Sequence, residues 1–213
     1  SDTILLQMAA EVLNAEMGQF IIHAADTDVS PFDPGSYASS TTYVTGMALK
    51  KAAEELRDKI LEQAANVIQT PAAQLELVGD QCFDPSSGKT VSIANIAAAA
   101  VVGPDHRQLS AYATFGSPVS PPPFVAGFAE VEVDKETGKV TLLDFVAVVD
   151  CGTVINPALA RVQTEGGIVQ GIGMALFEDV LYDKKGNLQS NSFMTYKIPG
   201  RGDIGTRSFE DGF

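Results

Sequence analysis

Residues 124–133 and 139–149 alternate in character, and Asp134-Lys135-Glu136-Thr137-Gly138 between them is turn chemistry. A period of two sends successive side chains to opposite faces, which no helix does. The pair predicts a long antiparallel hairpin, ended by Asp150-Cys151-Gly152. Any fold of this chain must therefore contain at least one antiparallel sheet. Glu130, Glu132 and Asp134 are expected on its wet face.

Helical spacing governs much of the rest. Residues 2–13 place Ile4, Leu5, Met8, Ala9 and Val12 on one face, with Asp2 a candidate cap. Phe20-Ile21-Ile22 reads as a short buried strand. Prolines and a glycine in 31–36 exclude regular structure there. A long helix is predicted over about 42–67, with Ala48, Ala52, Leu56, Ile60 and Ala64 on one face and Pro71 beyond its end. Two short strands follow, 74–78 and 81–83, around a Gly79-Asp80 turn. Ser92 is placed to cap an alanine-rich helix ending near Gly103. Asn156-Pro157 opens a helix over about 158–176. Segments 178–182 and 188–193 predict a second hairpin around a turn at 184–187. The fold class is α+β, antiparallel hairpins packed with helices. The expected organisation is a first lobe, 1–103, containing loop 31–42; a proline-rich connector, 104–123; a second lobe, 124–199; and an irregular tail, 200–213.

Charge and composition restrict function. Among 213 residues, 14 are Lys or Arg and 27 Asp or Glu, a formal net charge of −13. Such a chain is repelled by phosphate backbones and anionic membranes, so neither nucleic acid nor membrane is an expected partner. Two cysteines, Cys82 and Cys151, and two histidines, His23 and His106, give no CxxC, HxH or HxxxH spacing. A protein-ligated metal is not expected, and both thiols read as free in a reducing compartment. The start of the chain lacks secretory-signal chemistry. The most apolar stretch, 93–102, is shorter than the ~20 residues of a spanning helix. The expected location is the cytoplasm. A chain starting at Ser1 without an initiator methionine reads as processed or cut from something longer.

Three constellations can carry chemistry. Ser36, Ser39, Ser40, Thr41 and Thr42 follow Gly35 and precede a helix. Hydroxyls beside free N–H groups at a helix start can hold a phosphate or another anion, or can simply cap the helix in solvent. The loop lacks the lysine of a Walker P-loop. Glu165-Gly166-Gly167-Ile168-Val169-Gln170-Gly171-Ile172-Gly173 is not a GxGxxG motif. It places Gly167 and Gly171 on one helix face with Gln170 and Gln163 nearby, which suits either close helix–strand packing or a polar contact. Asp26 with Asp28, and Glu210 with Asp211, are candidate acid–base pairs.

Taken in order, these motifs resemble the xanthine dehydrogenase and aldehyde oxidase family of molybdenum hydroxylases. The resemblance rests on Asp26-Thr27-Asp28, Pro31-Phe32-Asp33, Gly35-Ser36-Tyr37-Ala38-Ser39, Thr42-Tyr43-Val44 and Gly46. It continues through Phe128 to Asp134, Asp150-Cys151-Gly152-Thr153-Val154-Ile155-Asn156-Pro157, Gln163 to Gly173 and Thr195-Tyr196-Lys197-Ile198-Pro199. It covers nearly the whole chain to about Pro199 and implies the later part of the molybdenum-binding subunit. It further implies a molybdopterin cofactor, in bacteria usually the cytosine dinucleotide, with [2Fe–2S] clusters and FAD on partner chains. The implied partners are the remaining molybdenum-subunit segment and the iron–sulfur and FAD subunits. The implied reaction is water-derived hydroxylation, or related redox chemistry, of an aldehyde or aromatic heterocycle. By the same resemblance Ser36, Tyr37, Ala38, Ser39, Ser40 and Thr41 match the loop that hydrogen-bonds the pterin and phosphate portions. Gln170 matches the glutamine beside the molybdenum. The family's Gly-x-Gly-Glu catalytic motif is expected downstream of Lys197-Ile198-Pro199, and no residue here matches it, Glu210 included. Its Gly-Gln-Gly loop is expected before Ser1. Two expectations follow: a cofactor-cradling part that is incomplete for catalysis alone, or a non-catalytic interaction module.

Overall fold

Ala64, Cys82 and Ile96 have no solvent exposure, and a helix, a sheet and a second helix converge on them. The structure is a computed structural model, and it describes residues 1–204 and 211–212. The chain forms two compact units, Ser1–Ser120 and Pro121–Phe213.

The first unit opens with α1 (Asp2–Leu13) and a single 3-10 turn, Met17–Gln19. Ser1, not Asp2, occupies the cap position of α1, and Asp2 lies in the first turn, where its charge suits the helix dipole. The long helix α2 (Thr41–Ile68) crosses α1 closely. At Gly46 a Cβ would fall 2.7 Å from Met8 Sδ, so only glycine admits this crossing without a shift. Gln69 ends α2 in a left-handed conformation, φ 56°, and Lys89 Nζ donates to the Ile68 carbonyl at 3.1 Å.

Strands β1 (Glu76–Val78), β2 (Gln81–Phe83) and β3 (Thr90–Ser92) form an antiparallel meander. Helix α3 (Ile93–Val102) follows at once, and the Ser92 hydroxyl accepts from the Asn95 N–H, as its position predicts. The two-residue turn at Gly79-Asp80 forms, with Gly79 at φ 61°. Asn14 ties α1 to this sheet. Its Nδ2 donates to Leu77 O, and its carbonyl accepts from Gly79 N. The core joins Ile60 and Ala64 of α2 to Leu77, Cys82, Val91 and Ile96. Burial pushes the Cys82 thiol up to about 11, which keeps it protonated and unreactive. Cys151 is exposed, so no disulfide links the two.

Phe20-Ile21-Ile22 is not a strand. It has no ladder partner, and Ile21 is 86 % exposed. Three apolar residues become a strand only beside another strand, and this chain offers none there among the described residues.

In the second unit β4 (Phe124–Val133) pairs antiparallel with β5 (Val140–Asp150), with a bulge between Glu130 and Val131. Strand β6 (Asp211–Gly212) adds parallel to β5. The alternation of β4 does not become a wet and a dry face, because every residue of β4 is exposed, Phe128 at 72 %. Asn156 caps α4 (Pro157–Leu176), its side chain accepting from Leu159 N at 3.0 Å, with Pro157 in the first turn. The second predicted hairpin reduces to a turn at 183–187 and one bridge, Tyr182 to Leu188. Asp183 closes that turn by accepting from the backbone and side chain of Asn187, and two strands do not extend from it. The tail carries one helical turn, α5 (Arg201–Ile204); Glu210 lies outside the described residues. No described helix is long and apolar enough to cross a membrane.

One polar group is built into the first unit. Asp84 is 3 % exposed and accepts from the Thr70, Ser86 and Ser87 hydroxyls and from Ser86 N. The Ser86 side chain first, then Ser87, holds this carboxyl well below the usual carboxylate range. A depressed folded-state pKa contributes stability above the unfolded value and loses it as pH falls through the folded one. Stability should therefore decline on acidification from about pH 4 downward. Urea titrations of Asp84→Asn across that range should show a flatter acid limb. Within the core, Ile96→Ala should cost about 2–5 kcal/mol in the same assay, because the cavity it leaves is enclosed on all sides.

Candidate functional site

The hydroxyl loop sits where α2 begins. Asp33 Oδ1 accepts from Gly35 N at 2.7 Å, and Gly35 takes φ 107°, which turns the chain toward the helix. Tyr37 to Ser40 then form a tight turn, with Ser40 N donating to Tyr37 O at 3.2 Å. Its central residues, Ala38 and Ser39, both lie at positive φ, 51° and 55°. This is type I′ backbone, which usually carries glycine or asparagine. Holding alanine and serine there costs of order 1–3 kcal/mol each, and such strain concentrates at binding sites.

The helix start is uncapped. No side chain accepts from its first N–H groups, and the first bond inside the helix is Val44 N to Ser40 O. The N–H groups of Thr41, Thr42 and Tyr43 have no partner among the described residues. Ser40 Oγ donates to Tyr37 O, whereas the Ser36, Ser39 and Thr41 hydroxyls have no partner there either. Ser36 to Ser39 are exposed, and a Cβ at Gly35 would meet nothing within 4 Å. The loop thus gathers free hydroxyls, three free helix N–H groups and the positive end of a 28-residue helix. That donor set suits an anionic, acceptor-rich group such as a phosphate or a pterin edge.

Gln170 belongs to the other unit, on α4. Gln163, Gly166, Gly167, Gln170 and Gly171 are all exposed and recur at helical spacing on one side. A Cβ at Gly166, Gly167 or Gly171 would meet nothing within 4 Å. Close packing of a strand against these glycines is therefore not their role in this structure. The face is open and low, with Gln170 standing on it, its amide able to donate and accept.

Close approach occurs instead at Gly173, which is buried. A Cβ there would collide with the Glu178 carboxylate and reach Pro199 at 3.0 Å. Glu178 Oε2 accepts from the Tyr196 hydroxyl, and this contact raises the phenol above its ordinary value. The pair fastens the Thr195–Pro199 stretch against the end of α4. Sequence reasoning missed this contact and the strained turn. Neither Ala38 nor Ser39 announces positive φ, and Glu178 lies eighteen residues from Tyr196.

The acid pairs do not form a centre. Asp26 Oδ1 accepts from Asp28 N, a local turn at an exposed site. The pair of Glu210 with Asp211 includes a residue outside the described ones. Among the described residues no group of three His, Cys, Asp or Glu side chains is placed to hold a metal ion.

Residues 1–205 match the family model for the molybdopterin cofactor-binding domain. The chain is 35 % identical over 209 residues to the xanthine dehydrogenase molybdenum-binding subunit of Escherichia coli O157:H7, covering 96 % of this chain and 28 % of that one. It is 32 % identical over 204 residues to the nicotine 6-hydroxylase large subunit of Paenarthrobacter nicotinovorans, covering 92 % and 25 %. Among solved structures it superimposes on quinoline 2-oxidoreductase of Pseudomonas putida 86 with TM-score 0.82 and 29 % identity, over 98 % of this chain and 27 % of that one. The chain thus spans about a quarter of the length of these relatives.

The crowding at Gly173 predicts a contrast between two glycines. Gly173→Ala should lower the melting temperature although alanine is the better helix former, because Glu178 or Pro199 must move. Gly171→Ala, facing open space, should leave it unchanged or raise it. Thermal melts of the two variants check this.

Proposed function

Since the chain belongs to the molybdopterin cofactor-binding domains of the molybdenum hydroxylase family, we propose that Ser36, Tyr37, Ala38, Ser39, Ser40 and Thr41 are cofactor-binding residues and that Gln170 is another. The observation that carries this is the uncapped start of α2. Its free N–H groups and the unpartnered hydroxyls of Ser36, Ser39 and Thr41 fit the phosphate and pterin portions of such a cofactor. The strained Ala38-Ser39 turn holds those donors in place before the cofactor arrives, which lowers the ordering cost of binding. The Gln170 amide orients a pterin edge by donating and accepting at once, and the open glycine face lets a flat group approach the α4 backbone.

When bound, the cofactor supplies two-electron redox chemistry at molybdenum. Its dithiolene carries the metal, which agrees with the scarcity of histidine and cysteine here. This chain's residues would bind and orient the cofactor, and none of them matches the family's catalytic glutamate motif. The reading places the chain as part of a larger, cytoplasmic molybdenum subunit. The cofactor is in its cytosine dinucleotide form, iron–sulfur and FAD subunits are partners, and an aldehyde or aromatic heterocycle is the substrate. A bare interaction module gives no account of donors left unsatisfied at the loop.

The test is molybdenum and pterin content per chain in protein purified gently from its source, with co-purifying chains recorded. Stoichiometric cofactor is expected. Ser36, Ser39 and Thr41 together changed to alanine should weaken cofactor retention by about tenfold or more, as hydrogen bonds to a charged phosphate are lost, and Gln170→Ala should weaken it by up to about tenfold, as neutral hydrogen bonds are lost. Unchanged metal content and activity in both variants would overturn the assignment.

A further inference from the structure

Between α3 and the second unit the chain runs from Leu109 to Ser117 without regular structure, yet its burial alternates residue by residue. Leu109, Ala111, Ala113, Phe115 and Ser117 are half-buried, while Ser110, Tyr112, Thr114 and Gly116 are exposed. That is the pattern of an extended strand lying on one face. The surface beneath it is α2. Lys59 Nζ donates to the Ser110 carbonyl at 2.9 Å. Further on, Lys51 Nζ lies 4.9 Å from the Phe115 ring centroid, and Tyr43 meets the same ring edge-on at 5.6 Å between centroids. The strap therefore runs antiparallel to α2. The helix covers about 12 Å from Lys59 to Lys51 while the strap advances five residues, a rise that only extended backbone achieves.

A strand of this kind normally owes its straightness to a ladder, and this one has none. No backbone N–H from Gln108 to Gly116 has a hydrogen-bond partner among the described residues, and of the carbonyls only that of Ser110 is taken. In extended backbone the N–H and C=O of one residue share an edge, and the next residue points the other way. Lys59 stands at the edge formed by Ser110, Tyr112 and Thr114. The edge formed by Leu109, Ala111, Ala113 and Phe115 carries no bond at all.

We propose that this free edge accepts an extended segment of the longer molybdenum subunit as a neighbouring strand. A row of aligned, unpaired peptide groups is recognised by another peptide backbone and little else. The relatives hold about three further lengths of polypeptide beside the part this chain matches. A second copy of this chain is disfavoured as the occupant, since each copy carries −13. The proposal rests on the reading of this chain as part of a larger subunit, and it is independent of how the loop or Gln170 meets the cofactor.

Hydrogen exchange read by mass spectrometry tests it, on the chain alone and on the complex co-purified from its source. Peptides spanning 108–116 should exchange freely in the isolated chain and about 100-fold or more slowly in the complex. Ala111→Pro and Ala113→Pro each remove a donor from the free edge, and should reduce recovery of the complex while the isolated chain melts as before. Equally fast exchange in both states overturns the proposal, as do proline variants that assemble normally. Protection that appears in the isolated chain as its concentration rises identifies a second copy and overturns it too. A chain that purifies without any longer partner also overturns it. Molybdenum and pterin measured on the same samples report separately on the cofactor assignment, so strap protection without cofactor fails only the latter.

Discussion

The contact of α2 with the three-stranded sheet and α3 is what the rest of the first unit depends on. Ile60 and Ala64 meet Cys82, Val91 and Ile96 with almost no residual exposure. That contact anchors the C-terminal half of a 28-residue helix, and the helix is stiff. Its N-terminus, with the strained turn and free donors, is therefore held by packing some distance away as well as by the short bonds within the loop. The Gly46–Met8 crossing adds the second anchor, nearer the loop. The strap lies along the same rigid helix, met by its Lys59, Lys51 and Tyr43.

A single local device recurs at the hairpin turns. Asp84, Asp134 and Asp183 each accept hydrogen bonds from residues two to four positions on, and each is held below the usual carboxylate range by those bonds. In a chain with 27 acidic residues, these carboxylates are spent on organising backbone rather than on chemistry. The proposed site works the other way round. It is made of hydroxyls and N–H groups, which donate toward acceptors, while Asp26 and Asp33 upstream accept from the backbone N–H groups of Asp28 and Gly35.

The second unit shows how far burial depends on what lies beside a chain. Strand β4 pairs along its whole length with β5, so its conformation is secured by the ladder. Both of its faces are nonetheless exposed, including Phe124, Val125 and Phe128. Alternation in the sequence was enough to specify the strand and its turn. It was not enough to decide which side is dry, because that is a property of the neighbour and not of the strand.

Much of the fold was legible in the residues because it is local. The extents of α1, α2, α3 and α4 follow from apolar spacing and from caps at Ser92 and Asn156. The β1–β2 and β4–β5 hairpins follow from turn residues that act within a few positions. The hydroxyl loop and Gln170 were visible in the residues as a candidate anion site and a polar group on a glycine-rich helix, but their roles toward a cofactor came only from a sequence resemblance. What tertiary structure decided is everything set by contacts distant along the chain. Phe20-Ile21-Ile22 stayed out of any sheet for want of a partner strand, and the second hairpin shrank to one bridge. Ala38 and Ser39 took left-handed backbone that their side chains do not favour. Gly173, rather than Gly167 or Gly171, became the crowded glycine because Glu178 and Pro199 fold back onto it. Local propensity acts through the residue's own backbone and near neighbours, so it is written in the sequence. Burial, strain and pairing depend on what the rest of the chain brings alongside, so only the folded structure holds them.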